Sequence, residues 1–421
     1  MNKVAIAVAV SGLALLPLAQ RARAEALCAE PLKVLAQPRD GLTLLDQSKG
    51  EFEKLAGAGY QIDYLNENDR RAKSKADAAT VGTYNVYYID EANVSLFASS
   101  KWVLPLLDYY PKEYDYQDFD PGMRKVATYD GVPYFAPITG GGDLFVYRKD
   151  LLAKANIPVP QTVDQLKAAA KALTDPAHGI YGISLRGERG SGANVWRWMP
   201  YFRGYGGKWF DGDNPAFNSE AAVKATQDYL ELFQYSPPGT KTGSWDESTG
   251  AFLSGNVAMI IESTPLGTMT IDPKLSKVVS QVGFAAPPAP LTGGGYAHGF
   301  AIGAKANVDD RAKLCAATWV AWATSKQNEQ RRLDANQLTE ITRTSSMNSN
   351  SFKKIVGPDL AKGLAEAAPK TVVNFWQSPN WPALGDHWGI ELEELIVGTR
   401  TDIKGSLNEL DVFAKDLASS N

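Results

Sequence analysis

The sequence contains few residues of the kinds that build metal centres. It has two cysteines and three histidines, and His178, His298 and His387 have no cysteine or histidine at ligand spacing. We therefore expect no metal site and no other cofactor. The cysteines leave two alternatives, because Cys28 and Cys315 either close one large loop through a disulfide in an oxidising compartment or remain buried free thiols.

Charge of one sign is not concentrated anywhere in the chain. The formal net charge is −4, from 43 basic and 47 acidic residues. Nucleic acids and anionic membrane surfaces bind basic faces, so neither is an expected partner. Beyond the first residues, no apolar stretch approaches the roughly 20 residues that a membrane-spanning helix needs. We therefore expect no direct membrane insertion.

The first 24 residues have the pattern of an export signal. Lys3 supplies a positive start, residues 4–16 form an apolar stretch, and Ala22 and Ala24 are the small residues of a cleavage site. We expect residues 1–24 to be removed by cleavage near Ala24, which predicts a periplasmic location.

The rest of the sequence alternates between strand and helix patterns. Strands are predicted at 32–36, 60–65 and 84–89, with helices at 44–55 and 69–80 between them. This order predicts a mostly parallel sheet covered by helices, and such sheets bind ligands beyond the C-terminal ends of their strands. The candidates that follow the first and third strands are Gln37, Arg39, Asp90, Glu91 and Asn93.

The alternation resumes further along the chain. Strands are predicted at 144–147 and 257–261, and Thr162 with Gln165 forms a capping-box pattern that starts a helix at 163–173. Glycine runs follow Thr139 and Pro290, and glycine permits the backbone dihedrals that a crossing between two lobes or a close approach to a ligand requires. With 421 residues, the chain is too long for one ordinary core. These features predict two lobes built from discontinuous segments.

Several short motifs, in their order along the chain, resemble those of the extracellular solute-binding proteins of sugar importers, the family that includes the maltodextrin-binding protein. The matching stretches are 130–134, 147–151, 160–166, 252–259 and 316–322. The resemblance implies an α/β, two-lobed periplasmic-binding-protein fold in which each lobe is a mostly parallel sheet flanked by helices.

By this analogy a hinge joins the two lobes and lets them close on the ligand. The N-terminal lobe is expected to comprise 25–139 and 288–343, and the C-terminal lobe 140–287 and 344–421.

The resemblance also implies aromatic residues that stack on the ligand. A sugar presents C–H faces, which pack on aromatic planes, and hydroxyl groups, which bind charged or amide side chains. Trp196 matches the stacking aromatic that the family places before a glycine pair, and Arg197 and Trp198 lie beside it. The late aromatic contact of the family corresponds to Trp376 or Trp381.

Acidic side chains that accept ligand hydroxyls are implied as well. One of Asp90 and Glu91 matches such a position, and the sequence leaves open which of the two faces the ligand. Glu262 follows a predicted strand and is expected to face the same cleft. Gly141 stands where the family has a second acidic contact, so backbone N–H groups of Gly141 and Gly142 would bind there. This departure favours a ligand smaller than a maltodextrin.

The sequence thus predicts a monomeric, non-enzymatic receptor that binds a small sugar or polyol and delivers it to the membrane permease of an ABC importer. If Arg39 and Arg197 lay opposite each other, they would suit an acidic sugar. The alternative is a secreted glycoside hydrolase, with Asp90 or Glu91 and Glu262 as its paired carboxylates. The sequence has none of the common motifs of serine hydrolases, zinc proteases or P-loop enzymes.

Overall fold

A computed structural model describes residues 26–111, 114–190, 192–337 and 341–419. The expected signal segment 1–24 and its cleavage site lie outside these residues. The strands are β1 (Leu32–Ala36), β2 (Tyr60–Tyr64), β3 (Val86–Asp90), β4 (Thr128–Tyr129), β5 (Val132–Pro133), β6 (Ala136–Gly141), β7 (Asp143–Arg148), β8 (Tyr181–Ser184), β9 (Phe210–Asp211), β10 (Asn214–Pro215), β11 (Val257–Ser263), β12 (Val282–Ala285), β13 (Gly293–Gly294), β14 (Tyr296–Ile302) and β15 (Thr371–Val372).

The helices include one, α15, that is kinked at Gly357. They are α1 (Asp40–Gln47), α2 (Lys49–Ala56), α3 (Glu67–Ala79), α4 (Glu91–Ser99), α5 (Pro121–Val126), α6 (Lys149–Lys154), α7 (Val163–Leu173), α8 (Asn194–Gly204), α9 (Glu220–Leu232), α10 (Trp245–Leu253), α11 (Pro265–Thr270), α12 (Asp310–Ala323), α13 (Lys326–Asp334), α14 (Thr344–Met347), α15 (Asn350–Ala367), α16 (Trp381–Val397) and α17 (Ile403–Ser419).

The first sheet has the strand order β2-β1-β3-β14-β6. Strand β3 is buried at every position, because alternate side chains of a strand point to opposite faces and helices cover both faces here. Val86 and Tyr88 pack into one core with Trp319, whereas Tyr87 and Ile89 pack into another with helix α4. This burial explains the run of aromatic and β-branched residues in β3.

The second sheet has the order β12-β7-β11-β8. Strand β7 divides its side chains between two cores in the same way, with Phe145 on one face and Leu144 and Val146 on the other. Helix α7 covers this sheet, and its bounds match the prediction. The Thr162 side chain accepts a hydrogen bond from the Gln165 N–H and thereby caps the helix.

Both sheets are mixed but mostly parallel, because among the described strands one in each sheet, β14 or β7, runs against the others. Strands β1, β2 and β3 are parallel, but β14 runs antiparallel to β3 and to β6. The reason lies in the crossings between the sheets. Strand β6 leaves the first sheet at the end where β3 also ends, and β14 returns at that same end and must run the opposite way. In the second sheet, β11 is parallel to β8 and antiparallel to β7.

The predicted lobe boundaries at 139/140, 287/288 and 343/344 stay predictions. The strand register adds one detail, because Gly140 and Gly141 pair with Ala297 and Tyr296 and so belong to the first sheet. The chain therefore passes to the second sheet at Gly142, between β6 and β7.

A disulfide joins Cys28 to Cys315 on α12, with 5.2 Å between their Cα atoms. The open question about the cysteines is thus answered in favour of the closed loop. In the part of the chain that the structure describes, no helix has both the length and the apolar character needed to cross a bilayer.

Candidate functional site

A cleft of about 840 Å³ opens between the two sheets. One side, which we call the first wall, is formed by residues at the C-terminal ends of β1, β2 and β3 and by β14. Its main side chains are Gln37, Arg39, Glu67, Arg71, Glu91 and His298. The opposite side, the second wall, follows β8 and β11 and includes the starts of α8 and α10. Its main side chains are Arg186, Glu188, Trp196, Trp245, Asp246 and Ser263.

A fully buried carboxylate, Asp90, lies directly behind the first wall. Its Oδ2 accepts hydrogen bonds from Arg70 Nη2 at 3.0 Å and from Arg71 Nε at 2.6 Å, and its Oδ1 accepts one from Asn93 Nδ2 at 2.5 Å. Burial alone would raise the pKa of Asp90, but the Arg71 and Arg70 guanidinium groups hold that pKa well below its usual range. Asp90 is therefore an ionised anchor for the arginines rather than a cleft-lining residue.

Of the neighbouring residues Asp90 and Glu91, it is Glu91 that lines the cleft. It begins helix α4, and its Oε2 accepts a hydrogen bond from the Ala297 N–H at 3.1 Å. Burial, together with the negative charge of Asp90, raises the pKa of Glu91 well above its ordinary value. His298 Nε2 lies 3.8 Å from the Glu91 carboxylate.

His298 is a neutral imidazole in this setting. Burial lowers the pKa of His298 from 6.5 to about 3, although Asp90 opposes the shift. Its Nδ1 lies 3.3 Å from the Tyr88 hydroxyl, which also accepts a hydrogen bond from Arg39 Nε at 2.7 Å. The first wall therefore presents Arg39, Glu91 and His298 in fixed positions.

The second wall has its own buried carboxylate, Glu262. Arg186 binds it with two hydrogen bonds of 2.7 Å, and Arg197 Nη1 lies 3.4 Å away. Burial opposes ionisation of Glu262, but Arg186 and Arg197 nevertheless lower its pKa. Arg197 also donates to Asp143 at 2.8 Å. Because Arg197 pairs with these two carboxylates behind the wall and does not line the cleft, it does not form the opposed arginine pair expected for an acidic sugar.

Two tryptophans give the second wall its apolar surface. Trp196 reaches the cleft from α8 and packs against Phe375, with 6.1 Å between ring centroids. Trp245 begins α10, and the guanidinium carbon of Arg186 lies 5.2 Å from its ring centroid. An aromatic plane beside a charged hydrogen-bond donor is the combination that a polyhydroxylated ligand requires.

Of the predicted site residues, Gln37, Arg39, Glu91 and Trp196 line the cleft. Gln37 carries a buried Oε1 that has no hydrogen-bond partner within the described structure. Three more residues lie behind the lining, where two carboxylates bind its arginines and one arginine binds the second of these carboxylates. They are Asp90, Arg197 and Glu262.

The two predicted glycines do not line the cleft. A Cβ atom on Gly141 would lie 2.2 Å from Thr264 Oγ1, and one on Gly142 would lie 2.1 Å from Thr371 Oγ1. The glycines are needed for close packing at the crossing from β6 to β7, and the expected contact of their backbone N–H groups with a ligand stays a prediction.

The other predicted tryptophans do not line the cleft. Trp198 and Trp381 are 0% exposed and belong to the core of the second sheet. Trp376 packs on Phe210 with 4.4 Å between ring centroids. The last predicted residue, Asn93, lines a separate and smaller cavity.

Several cleft-lining residues were not predicted from the sequence. Glu67, Asn68 and Arg71 follow β2, and the rule that ligands bind beyond strand ends would have found them had it been applied to that strand. Arg186 follows β8 in the same way. Trp245 had no comparable signal, because only its position at the start of α10 brings it to the cleft.

Direct polar contacts between the two walls are few. Asn68 Nδ2 donates to Glu188 Oε1 at 2.9 Å, and Lys75 Nζ lies 3.6 Å from Asp386 Oδ2. The buried ion pairs described above all lie within one wall. The polar contacts across the walls thus involve exposed or partly exposed side chains at their edges.

The fold and the cleft define a two-lobed ligand-binding protein. The profile of the family described as bacterial extracellular solute-binding protein matches residues 39–330, so the chain belongs to this family. The resemblance inferred from the motifs is thereby confirmed.

Among its relatives, the mannitol-binding protein of Pseudomonas aeruginosa is 31% identical over 269 residues, which cover 62% of this chain and 61% of the relative. The match thus spans less than two thirds of that relative's length. Two solved structures of ABC-transporter solute-binding proteins cover 93% of this chain with a TM-score of 0.82. One is from Agrobacterium vitis S4 with bound D-mannitol (27% identity, 99% of its chain), and the other is from Agrobacterium radiobacter K84 with ribitol (26%, 100%). They confirm the two-lobed periplasmic-binding-protein fold.

Proposed function

We propose that this protein is a periplasmic receptor that binds a small, neutral polyol or monosaccharide between its lobes and delivers it to the permease of an ABC importer. The observation that carries the proposal is the cleft itself. Its arginines Arg71 and Arg186 are each paired with a carboxylate of their own wall, and Trp196 and Trp245 supply apolar planes beside them. The relatives that bind mannitol or ribitol support the same ligand class.

The charges of the cleft favour a neutral ligand over an acidic one. Among the described residues that line it there are three arginines and six carboxylates. An anionic ligand would bring a further negative charge into an acidic cavity, whereas hydroxyl groups accept hydrogen bonds from arginines and donate them to carboxylates. Gln37 Oε1, which has no partner among the described residues, is placed to accept one hydroxyl hydrogen bond.

The proposed mechanism is closure of the lobes on the ligand. A ligand that contacts both walls binds the closed form more tightly than the open form and shifts the population towards it. The permease would then recognise the closed form. In this role the protein is a monomer, leaves the signal segment behind on export and performs no chemistry on its ligand.

Hydrolysis is the alternative function, and the geometry does not favour it. Of the paired carboxylates it would use, Asp90 and Glu262 are each bound by two arginines, which hold them ionised and behind the walls. Glu91 lines the cleft and has a raised pKa, as a general acid requires, but its expected partner Glu262 is held by Arg186 and Arg197 behind the second wall and does not line the cleft as a nucleophile or base must.

The test is calorimetric titration of the exported, processed protein with D-mannitol, ribitol, glucose, maltose and gluconate. We expect tight binding of a polyol or a monosaccharide, weaker binding of maltose, and recovery of the ligand unchanged after long incubation. Binding of none of the neutral ligands, or the appearance of hydrolysis products, would refute the proposal.

A further inference from the structure

A second cavity of about 310 Å³ adjoins the cleft. It lies between helices α3 and α4 on one side and helix α16 with Arg189, Gly190 and Gly192 on the other. Three residues, Asn68, Arg71 and Gly192, line both cavities. The side chain of Arg71 is the largest of the three, so it is the main partition between the cleft and the second cavity.

Arg71 is held rigidly in this position. Its Nε donates to Asp90 at 2.6 Å and its Nη2 lies 2.7 Å from Glu67 Oε1, so the guanidinium group is fixed from the first wall. From the second wall, Gly192 closes against it. A Cβ atom on Gly192 would lie only 2.2 Å from Arg71 Nη1, and the absence of a side chain at 192 therefore lets the two walls meet at this point.

The second cavity has the polar groups that hydroxyls require. Asn93 is buried, and its Oδ1 has no hydrogen-bond partner in the part of the chain that the structure describes. Lys75 and Asp386 lie on opposite sides of the cavity, and Ile390 adds an apolar surface. Its volume is close to the roughly 300 Å³ at which small-molecule pockets begin.

We propose that Arg71 ends the ligand cleft and thereby determines the length of the ligand. With Arg71 in place, a ligand in the cleft cannot extend into the second cavity. Without its side chain, the second cavity joins the cleft and accepts a second sugar unit. This inference rests on the proposed function, because it concerns the size limit of the same binding site.

The test compares D-mannitol with maltitol, which is a hexitol carrying one glucose unit, by calorimetric titration of wild-type protein and of Arg71→Ala. We expect the ratio of maltitol to mannitol affinity to rise at least about tenfold in Arg71→Ala. The matched control is Arg71→Met, which removes the ion pairs but keeps an unbranched side chain at the partition. Its ratio should stay close to that of the wild type.

Gly192→Ala tests the same contact without altering Arg71. Its added methyl group meets the guanidinium group, so we expect mannitol to bind at least about fivefold more weakly, and the loss to be relieved in the double variant Arg71→Ala, Gly192→Ala. Gly250→Ala, where a Cβ meets nothing within 4 Å, is the control. An unchanged ligand ratio in folded Arg71→Ala, or unchanged mannitol binding in Gly192→Ala, would overturn the inference. Failure of wild-type protein to bind any neutral ligand would instead refute the proposed function, and this inference with it.

Discussion

On the first wall, Asp90 lies between Arg70 and Arg71, and on the second wall Glu262 lies between Arg186 and Arg197. In each pair of arginines one member, Arg71 or Arg186, lines the cleft and the other is buried behind it. The walls differ in what surrounds these pairs. The first wall adds Glu91 and His298, whereas the second adds two tryptophans. The same electrostatic arrangement thus supports a polar surface on one side and an aromatic surface on the other.

The comparison bears on the proposed opening of the cleft. Because Asp90 and Glu262 are each neutralised by arginines of their own wall, such an opening would leave neither carboxylate as an unpaired buried charge, which would be costly. Among the residues that the structure describes, opening would break the polar contacts between Asn68 and Glu188 and between Lys75 and Asp386.

The largest effect is expected from removing a buried carboxylate. Asp90→Asn would leave Arg70, which is 1% exposed, without its counter-ion, and should lower the free energy of unfolding by about 3 to 5 kcal/mol. Glu262→Gln should cost a similar amount if the two walls are equivalent. Denaturant unfolding measures both, with the exposed Asp211→Asn as the control. If the free energy of unfolding fell much less in one variant than in the other, the two walls would not be equivalent.

The second effect is a pH dependence that belongs to the first wall. The pKa of His298 is lowered to about 3, so the folded state keeps it neutral while the unfolded chain takes up a proton below about pH 6.5. Stability from this group is present above pH 6.5 and is lost as the pH falls towards 3. The loss between pH 7 and pH 5 should be about 2 kcal/mol.

His298→Asn should remove this part of the pH dependence, and denaturant unfolding at several pH values measures it. Glu91 acts in the opposite direction, because its raised pKa lets the folded protein hold a proton that the unfolded chain releases. Comparing the variant with the wild type therefore isolates the histidine. Identical pH profiles would show that His298 is not buried as described.

The third effect separates two tryptophans of helix α8. Trp196→Phe should weaken binding of a polyol by about 1 kcal/mol, or roughly fivefold, because a smaller ring covers less of the ligand. Trp198→Phe should lower the melting temperature but leave the dissociation constant within about twofold, since Trp198 lies in the core. Equal losses of affinity in both variants would contradict the placement of Trp196 alone at the cleft.

The smallest effect is expected at the contact between the walls. Asn68→Ala removes an exposed hydrogen bond to Glu188 and should weaken ligand binding by about 0.5 to 1 kcal/mol, because the contact joins the two walls and would be lost in the proposed open form. Gln61→Ala removes an exposed hydrogen bond to Asp63 within the first sheet and serves as the control. Tighter binding by Asn68→Ala would mean that the contact opposes closure.

The sequence predicted the features that depend on local pattern. Strand β1 and helix α7 have the bounds that hydrophobic alternation and the Thr162 cap indicate, and the rule for strand ends located Gln37, Arg39 and Glu91. Residues two apart on a helix point roughly 200° apart, so this geometry already implies that Trp196 and Trp198 do not face the same cleft.

The rest depends on contacts between distant parts of the chain. The pairing of Arg186 with Glu262 joins residues 76 positions apart, and no local pattern indicates which carboxylate an arginine selects. The antiparallel course of β14 likewise follows from its return out of the second sheet. For the same reason, the packing of Trp376 and Trp381 could not be told from ligand stacking in the sequence.

The bond between Cys28 and Cys315 spans 287 positions, and every strand of the second sheet lies between its ends. Cys28 therefore cannot form this bond until the whole second sheet has been synthesised, because Cys315 follows all of its strands. Once formed, the disulfide keeps the segments that carry Cys28 and Cys315 joined even if the polypeptide is cut between them. A proteolytic cut within the segments of the second sheet would therefore leave the segments of the first sheet covalently joined.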